Sequence, residues 1–367
     1  MKITNVECLV LANEYPIVRI STDDGLVGWG ECFRRARRLI KPTIDEVLRP
    51  LLIGANPLDS EILQRRLLRS AGVAGPLGTL APAVAGIDIA LWDLKGKALG
   101  VPIWQLFGGK VREKVRFYAS SLRRDLTPVE EARRVVALAE RGYSGYKMHS
   151  AIPGSIDHPA DLTIATVREI RAAVGDAFAI MIDVNGAYSV HHAIEIGKQL
   201  EDLNVFHFED PVSPRDHRGL AQVANALTMP VATGESHFTV GEFHALIEEG
   251  QVDILQPDVV KAAGLTELQK IAALAALYNR PISVHSTQPT LCTAAHLQFC
   301  AVHPHVPYWQ EYNIEPVSIR DRWPILKSPL DVVNGEIAVP DGPGLGVEVD
   351  EVMVRRLVGM TDVPEGL

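Results

Sequence analysis

Asp183, Glu209 and Glu235 stand 26 residues apart in this 367-residue chain, and each closes a short apolar run: AIMID, VFHFE and PVATGE. Strands that end in a carboxylate, recurring at the spacing of one βα unit, are how a metal site on the rim of a parallel barrel looks in one dimension. Parallel neighbours also need a crossover of about a dozen residues or more, most simply a helix. From about residue 115 the chain has that pattern. Expected strands are VRFYA (115–119), GYKMH (145–149), AIMID (179–183), VFHFE (205–209), VATGE (231–235), DILQPD (253–258), ISVH (282–285) and YWQE (308–311), with amphipathic helical stretches between them. Their number and even spacing favour a closed barrel over an open doubly wound sheet, and no GxGxxG follows any strand.

By this reading the chain is α/β, with three parts. Residues 1–114 form an N-terminal α+β capping domain. It has strands at 2–10 and 17–30, the turn TDDG at 22–25, and helices over 38–52, 58–70 and 80–98. The last helix carries small residues on one face and stops at Gly100, as a helix should. Residues 115–327 form a (β/α)7β TIM-like barrel, the catalytic domain. Residues 328–367, turn-rich with one short strand, are expected to return to the cap.

Composition excludes several classes. With 47% hydrophobic and 22% charged residues, the chain is neither disordered nor membrane-like. No apolar run approaches the ~20 residues that span a bilayer. The four cysteines form no CxxC pair, and MKITNVECLV alternates like a strand instead of carrying an apolar leader, so a cytoplasmic protein with reduced thiols is expected. A formal charge of −9 argues against nucleic acid as a partner. An anionic substrate would then be recruited locally, most simply by a metal.

In a parallel barrel the C-terminal strand ends hold the chemistry. Those ends deliver Lys147 with His149, Asp183 with Asn185, then Glu209, Glu235, Asp258, His285 and Glu311. So many polar groups in one lumen require pairing or a metal. An acid at a strand end is commonly a helix cap, but three on consecutive ends suit a hard dication, and Mg2+ is the expected cofactor. Lys147 and His149, at i and i+2, share one side of their strand. An isolated KxH is otherwise a snorkelling lysine and a surface histidine. Across the barrel, a carboxylate such as Asp258 bonded to one nitrogen of His285 would orient the ring and leave the other nitrogen for acid–base work. A core histidine satisfied by packing is the alternative for His285.

These segments resemble the enolase superfamily, in its mandelate racemase subgroup. AGIDIALWDLKGKALGVPIWQLFGG (85–109), MIDVNGAY (181–188), FEDP (208–211), ATGES (232–236), DILQPDVVKAAGLTE (253–267) and PDGPGLGVEVD (340–350) carry the resemblance across almost the whole chain. It implies Mg2+ ligands at Asp183, Glu209 and Glu235, a dyad at Asp258 and His285, a substrate hydrogen bond from Glu311, and Lys147 as an electrostatic helper. The subgroup often has KxK where this chain has Lys147 and His149, so the second base becomes an imidazole. Lys261 falls three residues beyond Asp258, off the catalytic-lysine position of the muconate-cycloisomerase subgroup, and a structural role is expected for it. The first loop, LANEYP (11–16), is short, as in several sugar-acid dehydratases. Asn13, Glu14 and Tyr15 in that loop are candidate substrate contacts, with Asn185, His237 and the segment SAGVAGPLGTL (70–80).

The resulting expectation is a Mg2+-dependent acid-sugar dehydratase, a carbon–oxygen lyase. It would remove the proton α to a carboxylate with His149 or Lys147, through a metal-stabilised enediolate, and lose the β-hydroxyl to give a 2-keto-3-deoxy acid. The alternative is a racemase or epimerase of a 2-hydroxy acid using the same two bases. The resemblance also implies a homo-oligomer, from dimer to octamer, whose partner is a small molecule, with no nucleic acid and no membrane.

Overall fold

The computed structural model describes residues 1–72, 75–152 and 154–360. Three antiparallel strands open the chain: β1 (Ile3–Leu11), β2 (Tyr15–Thr22) and β3 (Val27–Glu31). The link between β1 and β2 is only residues 12–14, with Ala12 and Asn13 at φ 49° and 51°. It is shorter than LANEYP because both flanking residues, Leu11 and Tyr15, pair with each other. Helical turns follow over 34–52, then the helices Ser60–Leu68 and Leu80–Leu99.

The helix Leu80–Leu99 is buried along most of its length because β3 packs on it backbone to backbone. A Cβ placed on Gly30 would lie 2.0 Å from the Gly86 carbonyl oxygen, so both positions need glycine. The helix ends at Gly100, whose φ of 70° suits a left-handed cap.

The barrel strands are β4 (Lys114–Ser120), β5 (Gly145–His149), β6 (Ala179–Asp183), β7 (His207–Glu209), β8 (Val231–Thr233), β9 (Ile254–Leu255) and β10 (Gln310–Asn313). They pair in parallel in that order, and β10 returns to β4. The expected ISVH strand is reduced to a bridge from Ile282 to Leu255. The Gln310 side-chain oxygen takes the Val284 N–H at 2.7 Å, a donor that a regular ladder would use. The outer helices begin at side-chain caps on Thr127, Ser189, Asp216 and Thr239, each contributing about 1 kcal/mol.

Three expected strand ends shift. Glu235 lies two residues beyond β8, because the chain turns at Gly234 (φ 146°), where a Cβ would meet the Gln256 nitrogen at 2.8 Å. Asp258 lies beyond β9, and Glu311 is the second residue of β10 rather than its end. After residue 327 the chain touches both layers. β11 (Glu336–Ala338) pairs antiparallel with β4. The helix Glu351–Leu357 lies against β1, where the Ala12 N–H meets the Leu357 carbonyl at 3.0 Å. Among the described residues no helix is long and apolar enough to cross a membrane. All four cysteines are buried and free.

Candidate active site

Parallel register sets the site in layers. His149, Asp183 and Glu209 are direct partners across β5, β6 and β7, and Lys147, Met181 and His207 form the layer below. The alternate residues Tyr146, Ile180, Ile182 and Phe208 join the apolar core. Period-two alternation thus separates the packing from the chemistry.

Most acids in the lumen meet a basic side chain. Lys147 Nζ lies 2.7 Å from Glu209 Oε2 and 3.0 Å from Glu311 Oε1. Burial alone would neutralise this lysine, but Glu209 and Glu311 hold it well above its usual value and therefore charged. His149 gives Nδ1 to the Ser121 carbonyl at 2.5 Å and turns Nε2 to Asp183 Oδ2 at 3.0 Å. Burial raises the Asp183 carboxyl, yet His149 and Lys147 bring it below its usual value. Lys147 and His149 therefore both reach the lumen, as their spacing implied.

On the opposite flank, His285 Nδ1 meets Asp258 Oδ2 at 2.7 Å and Nε2 meets Glu235 Oε2 at 2.6 Å. Burial and Lys261 push the imidazole down. Glu235, Glu311 and the Asp258 hydrogen bond outweigh them and hold it at about 10. Glu311 is fixed by Ser120 Oγ at 2.6 Å and the Ser286 N–H at 2.7 Å. Two imidazoles thus flank one carboxylate cluster.

The donor set suits a hard divalent cation. Glu235 raises the Asp183 carboxyl and Asp183 raises that of Glu209, so charge on neighbouring members of the group is unfavourable. Glu209 Oε1 is buried with no hydrogen-bond partner among the described residues, which a ligand oxygen awaiting a cation would show. Asp210, unremarked in the sequence, is a fourth carboxylate here. Burial, then Asp183, Glu235 and Glu209, push it well above its usual value, and it accepts from Thr233.

A second donor group lies behind the dyad. Asp258, Cys292 and His296 are buried, with ligand atoms within 4.8 Å of one another, and could hold a divalent ion. Among the described residues Asp183, Glu209 and Glu235 do not cluster so tightly, each lying against its own basic partner. His296 Nε2 already accepts the Val259 N–H at 3.0 Å, so the rear group also braces Asp258.

The candidate substrate contacts divide. Asn185 holds Asp183, its N–H on Oδ1 at 2.7 Å and its amide on Oδ2 at 2.9 Å. His237 does not face the lumen. It is fully buried beside His217 and Phe243, both ring nitrogens lack a partner among the described residues, and burial and Arg215 lower it to about 4. The turn at Gly234 that presents Glu235 sends His237 toward the outer helices. Tyr15 is buried in the core and its hydroxyl accepts from Arg34 at 3.3 Å, while Asn13 is exposed with no hydrogen bond from its side chain to the described residues. Of SAGVAGPLGTL, residues 73 and 74 lie outside the described residues. Gly72 and Gly75 line a separate groove with Gln64 and Lys270.

The sequence reading missed the segment FRRARR at 33–38, which lies against residues beside the dyad. Phe33 stacks under Lys261 Nζ at 4.7 Å, and the Arg34 N–H bonds Gln288 at 2.8 Å, just beyond His285. A dense run of arginines in an acidic chain was the available signal. Lys261, expected to be structural, reaches Glu235 Oε2 at 3.0 Å.

A barrel with polar strand ends under an α+β cap defines an enolase-superfamily protein. Residues 128–353 match the enolase C-terminal domain-like family, and residues 8–108 match the mandelate racemase / muconate lactonizing enzyme N-terminal domain. The chain belongs to the mandelate racemase/muconate lactonizing enzyme family. It is similar to D-galactarolactone cycloisomerase of Agrobacterium fabrum, 37% identical over 342 residues, covering 91% of this chain and 88% of that one. It is also similar to D-galactonate dehydratase of Ralstonia pickettii, 34% identical over 363 residues, covering 96% and 94%. A mandelate racemase/muconate lactonizing protein from Paracoccus denitrificans, complexed with magnesium, superposes with a TM-score of 0.90 at 33% identity, covering 97% and 96%.

Proposed function

We propose that this chain is a Mg2+-dependent acid-sugar dehydratase, a lyase that removes water across the α and β carbons of a sugar acid. The observation that carries the reading is the pair of imidazoles, His149 and His285, on opposite flanks of the Asp183, Glu209 and Glu235 carboxylates. Similarity to dehydratases of sugar acids supports it.

Asp183, Glu209 and Glu235 would hold the cation, and the partnerless Glu209 Oε1 fits that role. A bound dication would supply Lewis-acid stabilisation of the negative charge moving onto the substrate carboxylate. Lys147, kept charged by Glu209 and Glu311, adds a fixed positive charge and is not the base. His149 has Nδ1 committed to the Ser121 carbonyl, leaving Nε2 to take the α-proton. Across the site, Asp258 fixes the His285 ring so that Nε2 gives a proton to the departing β-hydroxyl, releasing water. The enol left behind tautomerises to the 2-keto-3-deoxy acid.

Incubation with Mg2+ and a panel of aldonates and aldarates, with assay for 2-keto-3-deoxy product, tests the reading; no turnover across the panel would sink it. The second reading is an isomerase, favoured by bases on both flanks and by similarity to a cycloisomerase. Deuterium gained at the α-carbon from D2O without loss of water would select it.

A further inference from the structure

His149 and His285 are oriented from behind by different means. His285 rests Nδ1 directly on the Asp258 carboxylate at 2.7 Å, whereas His149 rests Nδ1 on the Ser121 carbonyl at 2.5 Å. A carbonyl oxygen only accepts, so His149 carries a hydrogen on Nδ1 and turns Nε2 to Asp183. Ser121 is the first residue after β4, and its own N–H is held by the Lys147 carbonyl at 3.0 Å. The next amide in the chain, the Leu122 N–H, goes to Glu315 Oε1 at 3.2 Å.

The Ser121 carbonyl and the Leu122 N–H belong to one peptide plane. In a trans peptide the two point in opposite directions, so an anchor on the N–H fixes where the carbonyl aims. The two bonds also polarise each other: a carboxylate on the N–H makes the carbonyl a stronger acceptor. Glu315 is itself well held. Its Oε1 also accepts from Ser121 Oγ at 3.0 Å and from Arg134 Nη2 at 2.8 Å, while Arg134 Nη1 reaches Ser121 Oγ at 2.7 Å. Its backbone is tied at both ends, the N–H to Asn313 Oδ1 and the carbonyl to Arg320, each at 2.9 Å. Arg134 lies on the helix Pro128–Glu140, and Glu315 stands two residues beyond β10. A helix and a strand end thus converge on the single peptide that aims at His149.

We propose that Glu315 is a positioning residue for His149, acting through the Ser121–Leu122 peptide as Asp258 acts directly on His285. The inference rests on the acid-sugar reading, in which His149 takes the α-proton, and deepens it. Each imidazole then has a carboxylate behind it, one in contact and one a peptide away. Arg134 in turn fixes the Glu315 carboxylate.

The first test needs no substrate. In the Mg2+-loaded enzyme the His149 Nδ1 proton, identified by its loss in His149→Asn, should resonate far downfield in proton NMR. Glu315→Ala should move it upfield. Glu315→Gln, which keeps an acceptor for the Leu122 N–H, should preserve most of the downfield position. In turnover of the aldonate or aldarate that the enzyme dehydrates, Glu315→Ala should lower kcat about 10–100-fold with KM little changed. Glu315→Gln should recover most of that loss. Arg134→Met should act in the same direction more weakly, and it keeps the test decisive if Glu315→Ala does not fold. A proton resonance unmoved in the folded variants, a Gln variant no better than the Ala variant, or a loss confined to KM would overturn the positioning role. Each would leave the dehydratase reading intact. If no acid sugar turns over, that reading fails, and the resonance still decides whether Glu315 orients His149.

Discussion

Oδ2 of Asp258 holds Nδ1 of His285 at 2.7 Å, and the same ring points Nε2 at Glu235. The carboxylate sets the tautomer and orientation, so only Nε2 is left to exchange a proton. His149 stands on the other flank with its own orienting carbonyl, Ser121. Each base is therefore built as a separate unit, and removing one leaves the other in place.

His285→Asn should lower dehydration by about 10^2–10^4-fold, the range of a positioned acid or base. The variant should still exchange the α-proton of the substrate with D2O, because His149 is untouched. Proton NMR of recovered substrate reads this directly. Loss of exchange in His285→Asn, with exchange retained in His149→Asn, would reverse the two roles.

Lys147→Met should lower stability as well as activity. It strands Glu209 and Glu311, both buried, without their shared cation. Breaking a buried pair from one side costs about 3–5 kcal/mol. Urea unfolding of the metal-free protein checks this. A change below about 1 kcal/mol would show that the carboxylates protonate or turn elsewhere.

A chelator should abolish activity, and Mg2+ should restore it. The ion should also raise Tm, since ligand at about 100 times its Kd stabilises by about 2.7 kcal/mol. Glu209→Gln should lose the Mg2+-dependent rise in Tm, whereas Cys292→Ala should keep it. The opposite pattern would place the ion at Asp258, Cys292 and His296.

Asp88 gives a pH signature remote from the lumen. It lies on the helix Leu80–Leu99 and accepts the Thr266 N–H at 2.9 Å, tying cap to barrel. Burial, only partly offset by the Thr266 hydrogen bonds, pushes its carboxyl up to about 7. The unfolded chain releases this proton near pH 4 while the fold retains it to about pH 7. Its contribution is therefore full below the unfolded value and lost as pH rises from about 4 to 7, by at most about 4 kcal/mol. Asp88→Asn should flatten that part of the stability profile. Parallel Tm–pH curves for the two proteins would show that Asp88 does not titrate in this window.

Much of the site was readable because its signals are local. The bounds of β5 and β6 match the expected segments because five-residue runs with period-two alternation have one way to face core and lumen. Lys147, His149 and Asp183 reach the lumen for the same reason. Glu235 was read at a strand end, but the left-handed turn at Gly234 carries it past β8 and sends His237 outward. Lys261 was set aside by its position in the motif, yet its long chain crosses to Glu235.

The sequence by itself determined the barrel and the cap and brought forward most of the ionisable groups of the lumen, since strand period, helix crossover and charge at strand ends are all properties of neighbouring residues. Only the tertiary structure decided which basic group meets which carboxylate, and that Phe33 and Arg34 lie against Lys261 and Gln288. Those outcomes depend on contacts such as Arg34 with Gln288, separated by 254 residues. No local pattern encodes such a pair; it forms where cap and barrel bury their faces against each other.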